Sequence, residues 1–510
     1  MKLKFPIVII LVLFILWGSA CRKDFEYAPS DGHLSFSRDT VYLDTVFSNI
    51  GSSTYTLKVY NTTKDDVLIP YIGLRNGPDS YYKLNVDGKV GNSFTDIPLY
   101  AEDSLFIFIE TNVTALPDET LQLLYTDAIQ FDTDIHQQEV TLVTLVKDAI
   151  FLYPKKDANG ENETIELFTQ EDGSKVFVEG FDLKDDQLHF TNQKPYVIYG
   201  YASVPENKEL VMDAGARIHF HRNSGILVKP TASLKVNGTF SNDRDQMEGE
   251  VIFEGDRLEP SFSNTPGQWG TIFISSGSTQ NSIDHLTIKN AEIGIYVDGN
   301  IENDTISLEI NNSQIYNSAI HNLWARSSTI TAKNLLLGSS GSSSLHCELG
   351  GRYEFTHATI ANYWNGFRTG RALILSNYGS MDTAAGADLI QADFRNCIID
   401  GNSMSELMLA SNKENIFNYR FQNCFLKFRE TDSQDETLYN FEGPAFENII
   451  LNGNPDYFNP SDNDFRIGLD SDVINKGSIP IAQEVPFDLL NSTRTSAPDL
   501  GVYQAIAKIE

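Results

Sequence analysis

Ile288-Lys-Asn290-Ala-Glu-Ile293, Ile310-Asn-Asn312-Ser-Gln-Ile315 and Ala332-Lys-Asn334-Leu-Leu-Leu337 are successive forms of one six-residue phrase. It returns as Phe355-Thr-His357-Ala-Thr-Ile360, Phe394-Arg-Asn396-Cys-Ile-Ile399, Phe421-Gln-Asn423-Cys-Phe-Leu426 and Phe446-Glu-Asn448-Ile-Ile-Leu451. From one Asn or His to the next the steps are 22, 22, 23, 39, 27 and 25 residues. A period in the low twenties built from β-prone residues marks a β-solenoid. Three short strands joined by turns use roughly 20–25 residues per coil, and coils stack about 4.8 Å apart, one strand spacing. In each phrase an inward apolar residue and a solvent-facing residue precede an Asn, or once His357, and Asn tolerates the left-handed backbone of a sharp bend. Stacked in register, such amides hydrogen-bond from coil to coil. The residue after the Asn or His is small or apolar throughout, as a narrow core requires. An antiparallel sandwich with chance Asn spacing is the competing reading, and seven near-aligned copies disfavour it. The reading places Asn312 over Asn290 and Cys424 over Cys397.

The chain has 510 residues, too many for one compact sandwich, so two or more units are expected. Against 69 acidic residues stand 38 basic ones, a formal net charge of −31. Such a field repels nucleic acid, which is excluded as a partner. Of four cysteines, Cys397 and Cys424 share one slot of successive repeats. Buried thiols suit that slot, with a disulfide as the alternative, which parallel side chains disfavour. Cys347 has no evident mate, and no Cys pair stands at metal spacing.

The N-terminus reads as an export signal over residues 1–20: Lys2 and Lys4, an apolar run from Phe5 to Trp17, then Gly18-Ser-Ala-Cys21. Ser19-Ala20-Cys21 resembles the lipobox of bacterial lipoproteins, in which the Cys is lipidated and becomes the first mature residue. Arg22-Lys-Asp-Phe-Glu26 resembles, with Phe25 interrupting it, the surface-export tag of Bacteroidetes lipoproteins. The resemblance implies lipidation at Cys21, an outer-membrane location and a membrane partner through the lipid, with residues 21–32 as a tether.

Residues 33–148 alternate as strands, as in Thr40-Val-Tyr-Leu-Asp-Thr-Val-Phe47 and Val140-Thr-Leu-Val-Thr-Leu-Val146, with turns at Asn76-Gly-Pro78 and Asp87-Gly88. About seven strands in this length fit an Ig-like β-sandwich. Residues 149–194 are polar and acidic and read as a linker with a little strand content. From 195 to 510 the apolar texture persists. Leu210-Val-Met-Asp-Ala-Gly-Ala-Arg-Ile-His-Phe220, Gly294-Ile-Tyr-Val297 and the closing stretch Asp472-Val-Ile-Asn-Lys-Gly477 with Ala497-Pro-Asp-Leu-Gly-Val-Tyr503 resemble right-handed parallel β-helix proteins of the pectate-lyase-like superfamily. That group includes polysaccharide enzymes alongside members without known activity. The expected fold class is therefore all-β, an N-terminal Ig-like sandwich followed by a right-handed parallel β-helix.

The irregular step of 39 residues holds Tyr353, Tyr363, Trp364, Arg368 and Arg371. Loops leaving a solenoid gather on its binding face. Aromatic faces stack on pyranose C–H surfaces and Arg forks onto uronate, so these five are the candidate glycan-binding residues; a loop packing its own aromatics against the coil is the plainer alternative. His357, Arg352 and the same arginines supply the residue types for β-elimination on a uronic acid without a motif that fixes geometry. His219 and His221 flank Phe220 and are expected to face solvent. No phosphate loop, zincin motif, nucleophile elbow or dinucleotide fingerprint occurs, so no catalytic residue, cofactor or metal is assigned. The leading expectation is a lipid-anchored, non-catalytic display or glycan-binding scaffold. The alternative is a polysaccharide lyase or glycoside hydrolase acting on an acidic glycan.

Overall fold

A computed structural model describes residues 27–114, 122–169, 173–299, 305–379, 385–430 and 435–508. The export signal, Cys21 and the acidic tag lie outside the described residues. The chain divides into two units, Met1–Asp148 and Ala149–Glu510.

In the first unit, alternating sequence becomes alternating burial: within Gln138–Lys147, Val140, Leu142, Thr144 and Val146 point inward. One sheet runs Ala28–Pro29, Val67–Leu74, Gln122–Phe131, Gln138–Lys147, Thr40–Tyr42, with Ser93–Leu99 and Val46–Phe47 as side partners. The second runs Leu34–Phe36, Tyr55–Asn61, Ser104–Thr111, Tyr82–Val86, Lys89–Gly91. Their inner faces share one core that includes Leu57, Ile69, Ile107 and Ile129. The Tyr82 hydroxyl crosses it to meet Thr144 Oγ1 at 3.0 Å. This is the expected β-sandwich. It opens with Ala28–Pro29, so its first strand falls inside the stretch expected as tether.

The second unit is a parallel β-solenoid with one strand per coil on each of three faces. The first face stacks Glu209–Asp213, Ser233–Asn237, Asn281–Asp284 and the starts of Leu308–Tyr316 and its successors. The second stacks Tyr196–Ile198, Arg217–Phe220, Val251–Gly255 and Leu286–Lys289. The third stacks Tyr201–Val204, Gly225–Val228, Trp269–Ile274 and Ala291–Asp298, then continues through His321, Ser343, Leu373 and Leu407. Inside, Phe355, Phe394, Phe421 and Phe446 form a stack with centroids 5.2, 4.9 and 5.4 Å apart and rings within 10° of parallel. Each such pair is worth about 0.5–1.5 kcal/mol beyond the area it buries.

Residues 149–194 are not a linker. Ile150–Leu152 pairs in parallel with Tyr196–Ile198, Lys175–Asp182 with Tyr201–Val204, and His189–Phe190 with Glu209–Asp213. Leu152, Phe181, Leu183 and Phe190 join the solenoid core. The stretch reads as polar because few inward residues are diluted by an exposed hairpin, Thr164–Thr169 against Lys175–Asp182.

The Asn ladder stands between the first and second faces. Asn312, Asn334, His357, Asn396, Asn423 and Asn448 are in register through their flanking pairs, and all have φ between 48° and 54°. Asn334 Nδ2 donates to Asn312 Oδ1 at 2.9 Å. Asn290 is not among them: Ile288 pairs with Ile315, so Asn290 lies opposite Asn317, one turn further round. Asn317 Nδ2 donates to Asn290 Oδ1 at 2.6 Å. The ladder slot below Asn312 is held by His285, whose φ is 49°. The phrase misleads there because the second-face strand also ends in apolar-x-Asn. Cys397 does lie under Cys424; both are buried free thiols, as is Cys347.

The closing stretch covers the second face lengthwise. Tyr457, Phe465, Ile467, Val473, Leu500 and Val502 pack on Leu336, Ala361, Ile398 and Phe425. Backbone groups of this strap also satisfy the ladder. Phe487 O accepts from Asn334 Nδ2 at 2.8 Å, and Ser478 N donates to Asn396 Oδ1 at 2.8 Å. Asn396 Nδ2 donates to His357 Nε2 at 3.0 Å, which leaves His357 Nδ1–H to meet Gly501 O at 3.1 Å. Burial, then the Arg494 charge, holds that histidine neutral.

Candidate functional site

Third-face strands alternate strictly. Ile295 and Val297, Leu323 and Ala325, and Leu345 and Cys347 point into the core, so Tyr296 and Asp298, Trp324 and Arg326, and His346 and Glu348 point out. Parallel register stacks like on like: Tyr296 under Trp324 under His346, and Asp298 under Arg326 under Glu348. The sequence thus builds a column of rings beside a column of alternating charge.

The rings touch along the column. Tyr296 meets Trp324 edge-on at 4.9 Å, and Trp324 lies parallel to His346 at 5.9 Å. His321 closes the group at 5.2 Å from Trp324 and 5.0 Å from His346. Toward earlier coils the column is roofed by the hairpin of residues 164–182, whose Ile165 clusters with Tyr201, Leu227 and Phe273. Toward later coils it opens: Ile374 is half-buried and Met408 is 42% exposed. Two polar atoms in this group are buried without a partner, Trp324 Nε1 and His346 Nδ1. A buried unmatched donor costs about 1–3 kcal/mol, which a ligand oxygen would offset.

Arg326 Nε stands 3.8 Å from Glu348 Oε1, and His346 Nε2 stands 3.9 Å from Glu348 Oε2, too far for a hydrogen bond. Burial pushes His321 down to about 3, helped by His346, and pushes His346 down to about 4, so both rings are neutral. Burial raises the Asp298 carboxyl against the opposing pull of Arg326. Burial alone would lower Arg326, but Tyr296, Asp298 and Glu348 outweigh it and raise it. The arrangement offers the half-buried rings of Tyr296 and Trp324 for C–H faces and the half-buried Asp298 carboxyl as an acceptor, with Glu348 and the indole nitrogen buried behind them.

The residues singled out from sequence are placed differently. Tyr353 is wholly buried in the core, its hydroxyl donating to Gly350 O at 2.8 Å, so it offers nothing to a glycan. Arg368 is likewise no uronate clamp. Its side chain is 3% exposed, with Nη1 and Nη2 on Glu406 at 2.8 and 2.6 Å and Nη2 also on Asn402 and Ser403. Tyr363 is half-buried, donates to Asp400 Oδ2 at 2.6 Å and packs edge-on against Tyr457 of the strap. Trp364 and Arg371 are half-buried. The 39-residue step thus uses its polar side chains to brace its own turn. His219, expected in solvent, is 5% exposed, 3.6 Å from Glu254, which also pairs with Lys289 at 2.6 Å. His221 is half-exposed and bonds Asp256 at 2.7 Å. Among the described residues no three His, Cys, Asp or Glu side chains converge as a metal ion would need.

An open groove of about 370 Å³ lies where the strap passes the ladder near His285, Asn312, Asn334 and Phe487. It lacks stacked rings, and Asn334 already serves the strap there, so the third face is the better candidate. Its signal was present in the sequence as Ile295-Tyr-Val-Asp298, Leu323-Trp-Ala-Arg326 and Leu345-His-Cys-Glu348, an apolar–ring–small–charged repeat running beside the Asn phrase.

No protein-family model matches this chain, and no curated protein is similar to it in sequence. Among solved structures, the PapD-like domain 7 of human CEP192 matches with a TM-score of 0.16 at 8% identity, over 24% of this chain and 89% of that one. A family 123 glycoside hydrolase from Clostridium perfringens matches with a TM-score of 0.16 at 8% identity, over 23% of this chain and 26% of that one. The catalytic domain of a GH87 α-1,3-glucanase in complex with nigerose matches with a TM-score of 0.12 at 11% identity, over 79% of this chain and 87% of that one. These are distant likenesses to PapD-like and glycoside-hydrolase structures, and they assign no family. Matches this loose say nothing about chemistry, which rests on the side chains above.

Proposed function

We propose that this chain is a lipid-anchored cell-envelope protein that binds a glycan along the third face of its solenoid and performs no chemistry on it. The observation that carries the reading is the outward ring column Tyr296–Trp324–His346, half-buried at Tyr296 and Trp324, with a buried, unmatched indole N–H at its centre. Ring faces take sugar C–H surfaces while the indole and the flanking carboxylates take hydroxyls. Ser19-Ala20-Cys21 supports the anchor, and the sandwich suits a spacer between lipid and solenoid. Affinity electrophoresis through polysaccharide-containing gels tests the binding. Retardation by at least one polysaccharide, lost in Trp324→Ala, is expected; no retardation across a broad panel removes the reading. Labelled fatty acid incorporated by the full chain and not by Cys21→Ser tests the anchor.

One observation favours a second reading, a hydrolase. Asp298 stands in register two coils from Glu348, with its carboxyl raised by burial, and a pair of separated carboxyl groups is what glycoside hydrolysis uses. A reducing-end assay decides between the readings: no product is expected, and product that disappears in Asp298→Asn makes the chain an enzyme.

A further inference from the structure

Resting on the glycan-binding reading, we infer that the third face takes a neutral polysaccharide and rejects polyuronates. The reason is charge placement. A uronate carboxylate needs a cation whose charge no neighbouring acid already offsets, and the one arginine in the ring column stands between two acids. Arg326 is held in register between Asp298 on the coil before and Glu348 on the coil after, so the column carries two negative charges to one positive. His321 and His346, the other nitrogen bases at the column, are buried and neutral. Arg368, one coil further on, is closed inside its pair with Glu406. A carboxylate arriving here would displace Glu348 or Asp298 from Arg326 and leave that acid unmatched, with no gain in pairing. The chain's net charge of −31 repels a polyanion before contact.

For an uncharged sugar the same groups are complementary. Trp324 Nε1 and His346 Nδ1 are buried without a partner, and the half-buried faces of Tyr296 and Trp324 lie over them, so a sugar that parts these rings meets unmatched polar atoms. Hydroxyls donate to carboxylate oxygens and accept from N–H, so a neutral ligand matches these groups without removing any ion pair.

The test compares wild-type protein on dextran, arabinoxylan, galactomannan and mixed-linkage β-glucan with polygalacturonate and alginate, at low and moderate salt. At least one neutral polysaccharide is expected to bind at least tenfold more tightly than either polyuronate, with little salt dependence, and Trp324→Ala or Tyr296→Ala should abolish it. Removing an acid beside Arg326 should narrow the gap: Glu348→Gln is expected to raise polygalacturonate binding at low salt. Tighter polyuronate binding by the wild type, lost in Arg326→Ala, overturns this inference and leaves glycan binding standing. Binding to neither class removes both.

Discussion

The second and third faces of the solenoid carry equally rich outward side chains and meet opposite fates. On the second, His219, Glu254, Lys289 and Tyr316 stack in register. Burial raises Glu254, and His219 and Lys289 outweigh that and hold it below its usual range. Further along, Leu336, Ile398 and Phe425 disappear beneath the strap. On the third, the strands Thr164–Thr169 and Lys175–Asp182 roof the early coils as far as Tyr296, and beyond it Trp324 is half-buried while Met408 stands exposed. Aromatic and charged residues pointing outward from a solenoid therefore do not mark a binding face. What marks it is that, among the described residues, no segment covers it as the strap covers the second face.

The sharpest way to break this contrast is to place one charge on each face. Ile398→Asp, 1% exposed beneath the strap, is expected to cost about 4 kcal/mol or to prevent folding, read as a fall in denaturation midpoint or in soluble yield. Next comes acid. Because burial holds His321 and His346 near about 3 and about 4 against an ordinary 6.5, the unfolded chain binds protons below pH 6.5 that the folded chain refuses. Their contribution is full above pH 6.5 and is lost as pH falls toward about 4 and then about 3. Replacing both with Asn should flatten the stability–pH curve in that window. Third, Asn334→Ala removes one rung of the ladder and the bond to Phe487, and should cost about 1–2 kcal/mol by chemical denaturation. The smallest effect is expected on the open face: Met408→Asp, at a 42% exposed position, should change stability by less than about 0.5 kcal/mol.

Periodicity was legible where one residue type recurs at one backbone conformation. Six ladder positions and the Cys397–Cys424 register follow from left-handed turns that Asn and His tolerate. Asn290 escaped because two different turns of a coil accept the same apolar-x-Asn pattern, and only strand pairing tells them apart. Burial was less legible. Arg368 looks like a ligand-binding arginine until Glu406, 38 residues on, fills its fork. His219 looks solvent-facing on a strand until Glu254, from the next coil, pairs with it in a buried column. Tyr353 looks like a loop aromatic until the strand Ser343–Thr356 turns it into the core. The polar first coil is hidden in sequence by dilution with a hairpin, and the ring column because its ring position changes residue type from coil to coil, Tyr296, Trp324, then His346.

Residues 457–503 give the stack a property that repeats alone do not confer. A solenoid held only by neighbour-to-neighbour contacts can unzip from either end. Here Phe487 fastens to Asn334, 153 positions earlier, while Ser478 and Gly501 fasten to coils in between. The late coils are laced into one cooperative block, and none of them reaches its final stability until residues 457–503 have been laid across them.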